Sequence, residues 1–138
     1  PLPACAALLS PTLQYREEFP SYRNNAATDC MLGKTFLTEV RTTYLRDPER
    51  AFDPLASPLF GDVTGFPPCF LTVSDSEYLY DDSVRFSEKL KAAGVPCELE
   101  VYHDLMHAFP IIAALPEAQD ANKKMGQFFD RYLKEANQ

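Results

Sequence analysis

No C-x-x-C pair occurs among the four cysteines, Cys5, Cys30, Cys69 and Cys97, which lie far apart along the chain. That spacing argues against the usual zinc-binding arrangements. Cys5, Cys69 and Cys97 stand in apolar, strand-like stretches, where a thiol serves as a small core residue. A Cys69–Cys97 bridge would need neighbouring strands, and without a secretory signal the reduced form is the expectation. Basic residues are scarce too, 13 Lys and Arg against 20 Asp and Glu, for a formal charge of −7. A chain so charged is a poor partner for nucleic acid, whose phosphates call for clustered Lys and Arg. No charged leader precedes an apolar segment, and no apolar run is long enough to span a bilayer. Repeats and low-complexity tracts are lacking as well. These absences leave a reduced, soluble protein with a cytoplasmic location as the expectation and no membrane span.

What is present suits one domain: 138 residues, 46% of them hydrophobic, can bury a single core. The text opens directly on an apolar run, "PLPACAALLSP", without an initiator Met or a polar lead-in. Natural termini seldom start by entering a core strand, so the expectation is a single partial domain, residues 1–138, belonging to something longer. Residues 4–9, "ACAALL", read as a strand buried on both faces and closed by Ser10-Pro11. Residues 12–67 are irregular and Pro-rich, with one helical stretch predicted at 32–45 from Leu32, Phe36, Leu37, Val40 and Tyr44 on one face.

From Pro68 the pattern is regular. "CFLTVS" (69–74) is a continuous β-favouring run, and "CELEVY" (97–102) alternates like a strand with one more polar face. Between them, "DDSVRFSEKLKAAG" predicts a helix with an Asp at its N-cap and Gly94 as its stop. Ala121, Met125, Phe128, Phe129 and Tyr132 form one stripe of a last helix at 117–136. Strand, helix, strand, helix at these lengths is a βαβ arrangement of parallel strands, so the fold class is α/β. Three parallel strands make a narrow sheet, and the run at 4–9 would leave an open edge unless further strands lie beside it.

In open α/β sheets, chemistry collects at the carboxyl ends of strands. Strand 69–74 is followed by Asp75 and Glu77, and strand 97–102 by His103 and His107. On adjacent strands, the first loop would set a carboxylate beside an imidazole, fixing the tautomer and freeing the other ring nitrogen as a base. Taken alone, the same residues have plainer readings. His107 reads as a packed structural ring, Asp81 and Asp82 as caps at a helix N-terminus, and Glu77 equally as either. His103, beside Asp104, reads as a surface residue. A metal site built on His103 and His107 wants a third ligand at sensible spacing.

Residues 53–109, from "DPLASPLFGDVTGFPPCFLTVSDSEYLYDD" through "AGVPCELEVYHDLMHAF", resemble the C-terminal part of α/β-hydrolases of the hormone-sensitive-lipase-like (family IV) carboxylesterase group. The opening "LPACAALLSP" is similar to the strand that follows the nucleophile-bearing helix in that group, so the resemblance covers almost the whole chain. It implies the C-terminal part of an α/β-hydrolase fold, a mostly parallel sheet with flanking helices, in which residues 12–67 include a cap-like insertion. By position, Glu77 matches the triad acid and His107 the triad base, with Asp75 as the alternative acid. Ser74, Asp104 and Ala108 stand where the family usually has Gly. The insertion resembles the segment lining the acyl pocket, which implies substrate-binding roles for Phe36, Leu37 and Phe109, with core packing as their plainer role.

None of the five glycines begins a G-x-S, and no H-G-G-G is present, so the resemblance implies a nucleophile on an N-terminal half of the same protein. Ser10 follows a strand but is trailed by Pro11 rather than a helix, and is not counted as that nucleophile. The implied function is hydrolysis of a small acyl ester, with no cofactor, no metal and no activity in these 138 residues alone. A non-catalytic hydrolase-fold receptor is the alternative, and retention of His107 favours the enzyme. A small free-standing domain for protein contacts is a third reading. The resemblance also implies a homodimer formed through 97–102 and 117–136.

Overall fold

The computed structural model describes residues 2–16, 18–33 and 35–136. Among them, β1 (Ala6–Leu9), β2 (Cys69–Ser74) and β3 (Cys97–Tyr102) pair in that order, and both pairings are parallel. Helices α1 (Pro20–Asn24), α2 (Phe36–Val40), α3 (Tyr80–Ala92) and α4 (Pro116–Ala136) accompany them. The sheet is α/β in the expected sense, with β2 in the centre and every one of its residues buried. β1 is shorter than the apolar run that announced it and only half-buried. Its outer edge has no strand beside it among the described residues.

Alternation along the strands assigns the layers. Cys69 and Leu71 of β2, with Cys97 and Leu99 of β3, join a core that includes Phe86 and Leu90 of α3. On the other face Phe70 meets Phe128 of α4, ring centroids 5.7 Å apart. There β3 presents Glu98 and Glu100, which pair with Arg131 and Lys124 of α4 at 2.7 Å each. Full burial of rings such as Phe70, Phe86 and Phe128 contributes about 1.5–3 kcal/mol apiece. Helix α3 stops where Gly94 takes φ +75, its N–H bonding Lys91 O while Val95 N–H reaches back to Leu90 O. That six-to-one and five-to-two pattern needs a left-handed residue, which glycine adopts without strain. Cys69 and Cys97 are register partners, and the four cysteines are free thiols. Burial pushes the Cys69 thiol up to about 12. No helix among the described residues is long and apolar enough to cross a membrane.

Two expectations are corrected. The helix predicted at 32–45 is α2 at Phe36–Val40 followed by a π-helical turn at Arg41–Leu45. Asp29 Oδ1 takes the N–H groups of Met31 and Leu32 at 2.9 Å and holds them in a turn instead. The wider π turn inserts an extra residue and rotates the buried face. Leu45 is therefore fully buried, whereas Tyr44 stays 61% exposed. The second correction concerns the Asp N-cap before α3. Leu79 occupies that position without a side-chain cap. Asp81 instead accepts from Ser21 N–H at 2.8 Å, and Asp82 from Leu13 N–H at 2.9 Å.

Candidate active site

Parallel pairing in register from Cys69↔Cys97 to Ser74↔Tyr102 brings the carboxyl ends of β2 and β3 level. The loops that leave them therefore run side by side. His107 Nδ1 lies 2.8 Å from Glu77 Oε2 across that gap. The Glu77 side chain is fully buried and that of His107 is 20% exposed. Oε1 of the same carboxylate accepts from Ser74 N–H at 2.7 Å and from Ser10 Oγ at 2.8 Å. Both oxygens are thus occupied by donors, the arrangement a buried carboxylate requires. With a carboxylate facing Nδ1, that nitrogen carries the ring proton and Nε2 keeps a lone pair to accept one.

Ser10 is the residue that sequence reasoning set aside. Its hydroxyl donates to Glu77 and also accepts from Ala108 N–H at 3.0 Å, joining the end of β1 to both loops. The residue is 3% exposed and holds φ +45, a left-handed conformation unfavourable for a residue with a Cβ. Its position at a strand end, beside the strand that leads to Glu77, was the one available signal.

The positions where glycine was expected show how side chains are tolerated there. Asp104 and Ala108 both take φ +53, and side chains of neighbouring segments hold their N–H groups. Asp104 N–H donates to Asp75 Oδ1 at 3.2 Å, Leu105 N–H to Ser74 Oγ at 3.0 Å, and Ala108 N–H to Ser10 Oγ. Ser76 Oγ adds a bond to Leu105 O at 3.1 Å. Ser74, in place of glycine, therefore supplies a bridge between the acid and histidine loops.

Asp75 does not reach His107. It pairs with His103 Nδ1 at 2.5 Å, where the imidazole is 84% exposed. Partial burial acts to raise the Asp75 carboxyl, but the His103 and Asp104 hydrogen bonds outweigh it and hold it below the ordinary carboxylate value. The second pair is an outer tie between the same two loops.

Phe36 and Leu37 share one hydrophobic cluster, and Phe109 lies in another. Phe109 is fully buried against Ala118 and Ala121 of α4. Leu37 is buried in the α3-side core. Phe36, half-buried, meets Tyr78 edge-on with centroids 5.8 Å apart. Beside Tyr78 lies an open cleft of about 330 Å³, lined by Glu18, Tyr22, Arg23, Ala26 and Tyr78. Among the described residues no group of His, Cys, Asp and Glu is placed to hold a metal ion.

Residues 1–111 match the alpha/beta hydrolase fold family. An esterase of Acinetobacter venetianus is 34% identical over 128 residues, covering 92% of this chain and 42% of the relative. An acetyl-hydrolase of Streptomyces hygroscopicus is 33% identical, covering 93% of this chain and 43% of its own. Among solved structures, an esterase of the bacterial hormone-sensitive lipase family superposes with a TM-score of 0.89 at 34% identity. That match covers 96% of this chain and 44% of the other. EstE5 superposes with a TM-score of 0.88 at 32% identity, over 96% and 45%. The chain thus spans less than half the length of these relatives. With its parallel sheet, its paired strand-end loops and these likenesses, the chain belongs to the alpha/beta hydrolase fold family, among its hormone-sensitive-lipase-like members.

Proposed function

We propose that this chain supplies the base and the acid of a Ser-His-Glu triad to a carboxylic ester hydrolase, with His107 as base and Glu77 as acid. The observation that carries the reading is the 2.8 Å contact between His107 Nδ1 and a fully buried Glu77 carboxylate. The nucleophilic serine comes from a segment N-terminal to these residues. Nε2 of His107 takes the serine proton as the hydroxyl attacks the acyl carbon, then returns it to the departing alcohol. Glu77 keeps the ring in the productive tautomer and stabilises the imidazolium that forms. Phe36, beside Tyr78 and the cleft, is the member of the expected acyl wall with surface left to meet a substrate. The names of similar proteins, an esterase and an acetyl-hydrolase, support an acyl ester as substrate.

The test is hydrolysis of p-nitrophenyl acetate by the full-length protein and its variants. His107→Ala and Glu77→Gln should each lower kcat by about 10³-fold or more, because triad members act as a unit. The 138 residues by themselves should give no steady turnover. Turnover by them that His107→Ala abolishes would locate the nucleophile inside this chain and refute the assignment. A full-length protein that binds acyl esters without hydrolysing them would establish the receptor reading in its place.

A further inference from the structure

Glu77 sits in a connection, residues 75–79, that is bonded to β3 through Asp75 N–H and Tyr102 O at 2.9 Å, a bond that leaves the connection's own carbonyls to other partners. Those carbonyls are engaged by one short segment. Asn25 Nδ2 donates to both Asp75 O at 2.8 Å and Glu77 O at 2.9 Å. Thr28 Oγ1 donates to the carbonyl between them, Ser76 O, at 2.9 Å. Asp29 Oδ2 takes Tyr78 N–H at 2.8 Å, and Ser21 Oγ donates to Tyr78 O at 2.8 Å. Side chains from residues 21–29 thus form a mould around the backbone that carries the acid.

The mould is itself anchored. Tyr22 stacks on Tyr78 with ring centroids 4.5 Å apart and planes within 5°. Its hydroxyl donates to the buried Asp82 carboxylate in a short hydrogen bond and receives one from Gln14 Nε2 at 2.6 Å. Ser21 N–H is tied to Asp81. Asn25, the C-cap of α1, donates its N–H to Ser21 O. A five-residue helix could not hold a shape alone, but these ties fix it on α3.

We propose that Asn25 is a positioning residue for Glu77: its single amide, bridging the carbonyls on either side of Ser76, sets the curvature of the acid loop and hence the reach of the carboxylate to His107. This rests on the triad reading above. Three donors lie 2.7–2.8 Å from the two oxygens of Glu77, a tolerance not held unaided by a loop whose backbone bond to β3, Asp75 N–H to Tyr102 O, lies at its first residue. Without the Asn25 amide, Asp75 O turns to water and Glu77 O keeps only the longer 3.3 Å bond from Tyr80 N–H, while Ser21, Thr28 and Asp29 keep the chain folded. The carboxylate then withdraws from the imidazole. A displacement of about 1 Å at a catalytic group costs on the order of 10²-fold in rate.

The experiment uses the full-length protein with Asn25→Ala and the near-isosteric Asn25→Asp, which offers acceptors where two donors are needed. Both should lower kcat for p-nitrophenyl acetate by about 10- to 100-fold with KM unchanged within about threefold. The acidic limb of the kcat/KM profile should move to lower pH, because a ring without its carboxylate is harder to protonate. The far-downfield Nδ1 proton resonance of His107 should shift or broaden. Leu45→Ala, a core truncation in a separate apolar cluster with Ala51 and Ala56, controls for simple destabilisation and should move neither the pH limb nor the resonance. Thr28→Val is a milder variant, retained in case the Asn25 variants fail to fold, and should give the same signature at several-fold loss. If Glu77→Gln abolishes turnover while the folded Asn25 or Thr28 variants keep kcat and the limb in place, the positioning role is refuted and the triad stands. If Glu77→Gln leaves kcat intact, both fail.

Discussion

Replacing Ser10 by alanine removes one oxygen and should be felt in three segments at once. The hydroxyl donates to Glu77 Oε1 at 2.8 Å and accepts from Ala108 N–H at 3.0 Å. A hydrogen bond to a charged group is worth about 1.5–3 kcal/mol. The Ala108 amide, half-buried and left without its acceptor, adds about 1 kcal/mol because water reaches it in part. Ser10→Ala should therefore destabilise the full-length protein by about 3 kcal/mol, read as a lowered midpoint in urea with the slope unchanged. Ser10→Gly sharpens the test. It deletes the same hydroxyl but relieves the strain at φ +45, a gain that exceeds glycine's added unfolded-state entropy by about 0.5–1 kcal/mol. The glycine variant should then be the more stable of the two, and both less stable than the parent. A Ser10→Ala loss under about 0.5 kcal/mol, or a glycine variant below the alanine one, would show that Ser10 carries neither the bond nor the strain assigned to it.

Ala108, at φ +53 in the histidine loop, should tolerate glycine with a gain of about 0.5–1 kcal/mol; equal or lower stability in thermal unfolding would place the strain elsewhere. Asp82 has its carboxyl pushed up to about 7 by burial, which outweighs the hydrogen bonds from Tyr22 and from the Leu13 and Gln14 N–H groups. The folded state thus holds this proton more tightly than the unfolded chain, so the contribution to stability is complete below about pH 4 and is lost as pH rises to about 7. Asp82→Asn, which does not ionise, should flatten that fall, seen as a difference between the two unfolding free energies that shifts in favour of the variant from about pH 4 to about pH 7. Parallel curves would mean that Asp82 is ionised in the folded protein throughout.

Elements governed by their own residues were legible from the text. The continuous run at 69–74 and the alternating one at 97–102 are β2 and β3 to the residue, because β-branched and apolar side chains two apart suit a pleated surface that is at least half-buried. Gly94 marked the end of α3 because a left-handed residue is a local requirement. The pairing of Glu77 with His107 followed from strand-end order and a family resemblance, and adjacent, level strands bring its two loops side by side. The 32–45 prediction missed for a similarly local reason, an Asp29 turn and a π turn that helical spacing does not reveal.

The support around the pair is another matter. Ser10 lies 67 residues from Glu77 and 98 from Ala108, and Asn25 lies 52 from Glu77. Asp82, which looked like a helix cap, is drawn inward by Leu13 and Tyr22. Composition and periodicity decided which segments would be strands and helices and which loops would carry a carboxylate and an imidazole. Only the tertiary structure decided which hydroxyls and amides would hold that carboxylate in place, because a hydrogen bond acts over about 3 Å of space and is indifferent to how much chain separates its two ends.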